Sequence, residues 1–297
     1  MAGSDSAPLR LAVTTNSETF ERLRDPLADR GIAVEHLPAE ARTVPLDDPR
    51  PDRFDAGFVY PSRVHEGAAL SALYDLSWVN DRAAVLTSRN KAGALATLGA
   101  AGLPVPRTTM VSSPVADAEI LDAVDGFEWP VVVKPNSTTR GVGVAKASDP
   151  DSLLGVVDYL DLVHDYRATG DKSFLLQEYV PDARDYRVMV VDGAYAGAVE
   201  RRLPDAALAA GRWKHNVHRG AEATGVSLPA EHRRLAERVA ETLDIPFLGV
   251  DLLVTDDRVV VAETNARPTV DDATKYEPDF YDRLAELVFE TADATPP

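Results

Sequence analysis

Residues 249–265 read Gly-Val-Asp-Leu-Leu-Val-Thr-Asp-Asp-Arg-Val-Val-Val-Ala-Glu-Thr-Asn. Two apolar runs flank a polar turn, the pattern of a β-hairpin with strands over Leu248–Val254 and Val259–Thr264. Glu263 and Asn265 are two apart and share a face. With the loop centred on Asp257, Asp251 comes directly opposite Glu263, their Cβ atoms about 5 Å apart. Two carboxylates at that spacing repel each other unless a cation lies between them. The all-oxygen set Asp251, Glu263 and Asn265 suits Mg²⁺ or Mn²⁺ carrying substrate phosphates. In so acidic a chain, accidental acids on a solvated hairpin are the alternative. The apolar residues around Asp251 and Glu263 weigh against it.

A second stretch, Trp129-Pro-Val-Val-Val-Lys134-Pro-Asn-Ser-Thr-Thr-Arg140-Gly141-Val-Gly143-Val-Ala-Lys-Ala147, reads as two short strands joined by a polar loop. Glycines permit positive φ and close backbone approach, so amide N–H groups can surround phosphate oxygens. Lys134 ends the first strand, where its ammonium can meet an anion. This loop is neither a P-loop nor GxGxxG, and alone it is an ordinary glycine hairpin.

Around these stretches the chain alternates strands and helices. Strands are expected at Leu9–Val13, Ile32–Leu37, Phe54–Tyr60 and from Trp78, with Gly31 stopping the first helix. This alternation predicts a parallel sheet in a unit over residues 1–88. A second unit, 89–176, opens with a helix over Arg89–Ala101 and contains the glycine loop. A third, 177–297, begins with a hairpin turning at Asp192-Gly193, carries a helix over Ala230–Leu243 and closes on a last helix.

The 297 residues carry 31 Lys+Arg against 48 Asp+Glu, a net charge of −17. That field disfavours a sequence-independent nucleic-acid binder, which needs a basic face. No apolar run approaches the length of a membrane span, and no secretory leader is expected, so a cytoplasmic protein without membrane partners fits. Cysteine is absent, which excludes disulfides, thiolate metal sites and cysteine nucleophiles. The acidity suits a halophilic protein, whose surface repulsion is screened by salt. His215 and His218 are three apart, but no third ligand follows at helical spacing, so a metal site there is not expected. Lysine is rare, and Lys91, Lys134, Lys214 and Lys275 fall on or beside the candidate site, whereas Lys146 and Lys172 do not.

Taken in order, VVVKPN…RGVGV, LQEYV…DYR, AVERR, KHNVHRGA, GVDLL and ETNARP resemble ATP-grasp enzymes. More narrowly, ERR, the N-x-HRG stretch and the GVD…E-x-N pair resemble the RimK-type α-L-glutamate ligases, over about Asn80 to the C-terminus. The resemblance implies a mixed α/β and α+β architecture: a Rossmann-like pre-ATP-grasp domain, then two α+β lobes gripping ATP. By matching position, Lys91 and Lys134 would bind phosphates, and Arg140, Gly141 and Gly143 would belong to the same ATP site. Gln177, Glu178, Tyr179 and Val180 would hold adenine, with Asp185 nearby; Lys214, His215 and Asn216 would line the triphosphate. Asp251, Glu263 and Asn265 would hold Mg²⁺, and Arg202 (or Arg201) with Lys214 would serve catalysis, the arginine by stabilising a developing oxyanion.

The implied activity is ATP-dependent carboxylate–amine ligation through an acylphosphate, adding L-glutamate or another amino acid to a protein or small-molecule acceptor. Amino-acid and carboxylate substrates, a protein C-terminus or a carrier protein are the expected partners, and many relatives are homo-oligomers. The alternatives are a lysine- or arginine-biosynthesis ligase acting on an acidic carrier protein, and an ATP-binding module without ligase activity. A nucleotide-dependent oxidoreductase lacks support, since TTNSETF stands where a glycine fingerprint would follow Val13. Two departures concern the acceptor pocket. The family commonly has N-x-S-P-G where this chain has Asn265-Ala-Arg-Pro-Thr269, and HRGG where it has HRGA. The added cation at Arg267 favours a carboxylated substrate, unless it merely pairs with a surface acid.

Overall fold

The computed structural model describes residues 7–15, 17–138, 141–163, 171–215, 217 and 220–294. The chain opens with β1 (Leu9–Val13), α1 (Ser17–Ala28), β2 (Ile32–His36), β3 (Ala56–Val59), α2 (Val64–Tyr74) and β4 (Trp78–Asn80). These strands form a parallel sheet in the order β2-β1-β3-β4. β3 and the end of β1 are buried, as strands covered on both faces require, whereas the edge strand β2 is buried only at Ile32. Gly31, at φ +78°, sits in the turn between α1 and β2 where the helix was expected to stop.

The helix expected over Arg89–Ala101 is present from Lys91, and a helix that was not expected stands immediately before it. α3 (Arg82–Arg89) starts on Asp81, whose carboxylate accepts the Ala84 amide at 2.8 Å. α4 (Lys91–Ala100) starts on Asn90, whose side chain accepts the Gly93 amide at 3.0 Å. An asparagine that caps the next helix leaves helical geometry itself, so the chain turns there. Lys91 is thereby the first residue of α4 and is buried.

β5 (Thr108–Ser112), α5 (Asp117–Asp122), β6 (Val131–Pro135), β7 (Ala145–Ala147), α6 (Pro150–Val163) and β8 (Ser173–Glu178) follow. The strands make an antiparallel sheet, β5-β8-β6-β7, with a core of its own that includes Val131, Val133, Leu153, Phe174 and Leu176.

The last sheet is built from β9 (Arg184–Val191), β10 (Ala194–Arg202), β11 (Glu222–Gly225), β12 (Phe247–Val254) and β13 (Val259–Asn265), in the order β11-β10-β9-β12-β13. The short α7 (Asp205–Ala209) follows β10, α8 (Ala230–Leu243) precedes β12, and α9 (Phe280–Asp293) ends the fold. Asp192 and Gly193, both at positive φ, close the β9–β10 hairpin as expected for a tight primed turn. This sheet and the N-terminal one share a continuous core, with the Phe58 and Phe247 rings 5.1 Å apart. Asn80, fully buried, donates to the carbonyls of Phe247 and Ala266, both at 2.6 Å, and so ties β4 to the strand-end that follows β13. Among the described residues no helix is long and apolar enough to cross a membrane.

Candidate active site

Asp251 and Glu263 are paired across β12 and β13, and Asn265 follows on β13 opposite Gly249. The turn itself is a residue tighter than expected, with Val254 opposite Val259. Uninterrupted pairing from there would set Asp251 against Ala262. A β-bulge at Ala262 adds the missing residue and restores the Asp251–Glu263 pair. The bulge also frees the Ala262 carbonyl, which accepts from Lys134 Nζ at 3.4 Å.

Lys134 therefore connects two sheets. Besides Ala262 of β13 it donates to Gln177 Oε1 of β8 at 3.0 Å. Gln177 is itself held by a 2.7 Å hydrogen bond to Thr108 Oγ1. Burial pushes the Lys134 ammonium down to about 8, against the attraction of Glu263 and with repulsion from Lys91 added. Lys91 lies 3.2 Å from Glu263 Oε1 and also donates to the Thr138 carbonyl of the glycine loop.

Gly141 and Gly143 both have positive φ, and a Cβ on Gly143 would stand 2.7 Å from the Pro135 ring. The loop can fold back onto the end of β6 only with glycine there. Arg140 and Asn216 lie outside the described residues. Lys214 Nζ reaches the Val144 carbonyl and so joins its segment to this loop.

The floor is a charge cluster across β9, β10 and β12. Arg187 grips Asp251 with two hydrogen bonds, at 2.6 and 2.8 Å. Arg201 lies 2.9 Å from Asp251 and donates through Nε to Asp185 at 2.9 Å. Burial opposes ionisation of Asp251, yet the two guanidiniums hold its carboxyl well below the usual range. Asp185, buried with one shared arginine and Asp251 nearby, is raised. His215 Nδ1 is 4.0 Å from Asp185.

Arg202 stands elsewhere. Successive strand residues face opposite ways, so Arg201 enters the cluster while Arg202 is 71% exposed and pairs with Asp205 at 3.1 Å. The geometry thus places the second of the two arginines considered, Arg201, beside the candidate metal ligands.

Glu178 uses its carboxylate structurally, taking two 3.0 Å hydrogen bonds from Arg258 and one from the Arg107 amide. Val180 is buried, and the Tyr179 ring meets Trp213 edge-on at 6.1 Å. Lys146, set aside in the sequence, lies over both rings, 4.6 Å from Tyr179 and 5.4 Å from Trp213. Its only sequence signal was its place on the strand returning from the glycine loop, facing β6. Arg187 stands in the DYR stretch, and its partner, Asp251, is visible only once β9 and β12 pair.

A cleft of about 880 Å³ is lined by Lys91, Gly141, Arg187, Arg201, Asp251, Glu263 and Asn265. It runs on to Arg267, whose Nη1 donates to the Tyr60 carbonyl and lies 3.4 Å from Thr14 Oγ1. Burial alone lowers the Arg267 guanidinium to about 10. Lys275, the fourth lysine of interest, lines the same cleft and pairs with Asp271 at 2.8 Å.

The family model for the RimK-like ATP-grasp domain matches residues 88–285, the stretch that builds both facing sheets and most of this cleft. The chain belongs to the RimK-like ATP-grasp family. Among curated RimK-like relatives, a probable alpha-L-glutamate ligase of Citrobacter koseri is 31% identical over 199 residues, 66% of this chain and 62% of that protein. A ribosomal protein bS6–L-glutamate ligase of Escherichia coli is 30% identical over the same shares. The chain thus matches about three-fifths of the length of these relatives. The D-cycloserine synthetase DcsG superposes with a TM-score of 0.73 at 21% identity, covering 96% of this chain and all of that one. A RimK domain protein of Sphaerobacter thermophilus gives 0.67 at 23% identity, covering 94% and 99%. These likenesses show the ATP-grasp fold, and they extend over the N-terminal parallel sheet as well.

Proposed function

We propose that this protein is an ATP-dependent carboxylate–amine ligase that adds L-glutamate, or another amino acid, to a protein or small-molecule acceptor. The observation that carries the reading is Lys134. It is a buried lysine bridging the two sheets that face each other in this fold, within the same cluster as Lys91, Asp251 and Glu263. A cation is costly there unless an anion arrives. The names of the curated relatives supply the glutamate part of the proposal.

In this reading the γ-phosphate passes to a substrate carboxylate, and an amine attacks the resulting acylphosphate. Lys91 and Lys134 bind and neutralise phosphate oxygens, while the glycine loop presents its amides. Arg201, held in place by Asp185, is positioned to stabilise the oxyanion formed when the amine attacks. Asp251, Glu263 and Asn265 offer oxygen donors only, on adjoining strands, and so fit a hard divalent cation. Asp251 is kept ionised by its arginines, and the Glu263 side chain remains 37% exposed to receive one. Mg²⁺ or Mn²⁺ held there would spread the phosphate charge. No nucleophilic side chain is required. A cytoplasmic location accords with ATP as substrate.

The test is product analysis by mass spectrometry after incubation with ATP, Mg²⁺, labelled glutamate and candidate acceptors. Release of ADP that requires both an amine and a carboxylate, with a mass gain on the acceptor, is the expected result. ADP release indifferent to both substrates counts against ligation.

A further inference from the structure

The segment that follows the candidate metal ligands is fastened to the elements around the N-terminal sheet. Ala266 donates its amide to Ser88 Oγ of α3 at 3.0 Å, and its carbonyl accepts from the buried Asn80 at 2.6 Å. Val270 donates to Thr19 Oγ1 of α1 at 3.3 Å, and its carbonyl accepts from Arg22 at 2.6 Å. Between them Pro268 lies against β12, where a Cβ added to Gly249 would stand 3.2 Å from the proline Cβ.

Arg267 ties this segment to the strand ends themselves. Its Nη1 donates to the Tyr60 carbonyl just past β3, with the Val59 carbonyl and Thr14 Oγ1 each 3.4 Å away. Among the described residues it meets no carboxylate. Neutral oxygens compensate poorly for a guanidinium drawn out of water, so stability alone gives little reason for a cation here. At its other end the same residue touches the site, for the Arg267 amide donates to Asn265 Oδ1 at 2.9 Å. That oxygen is the donor Asn265 would offer a metal. An amide oxygen has two lone pairs, so it can accept this bond and still ligate. Any residue except proline would supply the amide. What the side chain adds is place: with its guanidinium seated on the ends of β1 and β3, Arg267 keeps its own amide from turning away from Asn265.

We infer that Arg267 is a positioning residue: by gripping the carboxyl ends of β1 and β3 it holds the Asn265 carboxamide oxygen ready for the divalent cation, so the N-terminal sheet takes part in setting metal affinity. The inference rests on the metal site of the ligase reading above and deepens it. Metal ligands depend on the groups that orient them, and loss of such a group costs about 10- to 100-fold in affinity. Arg267 stands where the family commonly has serine, a side chain too short to span from this segment to Tyr60. The device therefore belongs to this chain's own residue.

The experiment measures Mn²⁺ affinity of the full chain with one equivalent of a non-hydrolysable ATP analogue, from the electron paramagnetic resonance signal of the free ion. The analogue alone is the blank. Arg267→Met keeps the stem and removes the guanidinium, and it is expected to weaken Mn²⁺ about tenfold. Arg267→Lys, whose ammonium can reach one carbonyl, is expected to lose about threefold. Asn265→Ala weakens Mn²⁺ by itself, and adding Arg267→Met to it should weaken Mn²⁺ no further, because the arginine acts through the asparagine. An arginine that only held the fold together would lower the melting temperature without this coupling. Mn²⁺ affinity unchanged in Arg267→Met, or the same loss with Asn265 present and absent, overturns the inference. Where Arg267→Met fails to fold, Arg267→Lys carries the same cycle. An unmodified chain that binds the analogue but no Mn²⁺ defeats the metal-site reading and this inference with it. Mn²⁺ binding indifferent to Arg267 defeats the inference alone.

Discussion

Asp251 and Glu263 stand directly opposite each other on β12 and β13, and the β-bulge at Ala262 is what puts them there. The same bulge turns the Ala262 carbonyl toward Lys134. One inserted residue therefore sets both the spacing of the acids and the seat of the lysine. Glu263 is the more accessible of the two acids and lies 3.2 Å from Lys91, whereas Asp251 is locked between arginines.

Glu263→Gln should abolish ligation while leaving the fold intact. The lost charge weakens the divalent cation, and activity at millimolar Mg²⁺ should fall at least about 100-fold. Stability should change by less than about 1 kcal/mol, because the Lys91 pair is partly solvent-exposed at Glu263. Turnover like that of the unmodified chain would remove Glu263 from the metal site.

Lys134 should make nucleotide binding pH-dependent. Its folded-state value lies near 8, below the ordinary lysine value of 10.5. The cost of keeping it charged in the fold is fully present below pH 8 and is relieved as pH rises toward 10.5, so this group makes stability rise over that window. Phosphate binding works the other way, because it favours the charged form. Binding of an ATP analogue at pH 8 should take up roughly half a proton, and at pH 6 almost none. Calorimetry in buffers of different ionisation enthalpy measures this. Lys134→Arg should lose the uptake and be severely impaired in acylphosphate formation, since the longer, forked guanidinium does not fit the seat between Gln177 and Ala262. Near-normal single-turnover formation in that variant would mean the phosphate site lies elsewhere.

Arg201 and Arg202 should behave oppositely on truncation. Arg201→Ala leaves Asp185 and Asp251 buried with too little positive charge and should cost about 3–5 kcal/mol, together with activity. Arg202→Ala removes one exposed pair with Asp205 and should stay within about 0.5 kcal/mol of the parent. Denaturant unfolding of both variants checks this, and equal losses would contradict the assigned facing of β10.

Salt should stabilise the protein if the acidic surface is a halophilic adaptation. At a net charge of −17, like-charge repulsion spans the surface at low salt. Molar KCl shortens the screening length to about 3 Å, which removes that repulsion. The melting temperature should rise by about 5 °C or more between low and molar KCl. Exposed pairs such as Arg50–Asp48 are screened as well, but each contributes little. A melting temperature indifferent to salt would contradict the reading.

Local pattern alone determined most of the scaffold. The Leu9–Val13 and Ala230–Leu243 elements fall where their apolar periodicity placed them, and Asp192-Gly193 turns as that dipeptide dictates. The Asp251–Glu263 pair was legible too, because strand parity and hairpin pairing are short-range properties. It was reached from a loop one residue too long, since a bulge leaves no mark in the pattern of side chains. The helix ending at Arg89 was missed, although Asp81 offered a capping signal for it as Asn90 did for the next. What the tertiary structure decided were contacts between segments far apart in the chain. They include Lys134 against Ala262, Arg201 rather than Arg202 against Asp185 and Asp251, Lys146 over Tyr179 and Trp213, and Arg267 against the end of β3. Each joins residues from different sheets, strands or loops. Such a contact depends on how whole elements pack, and the period of any one element carries no record of it.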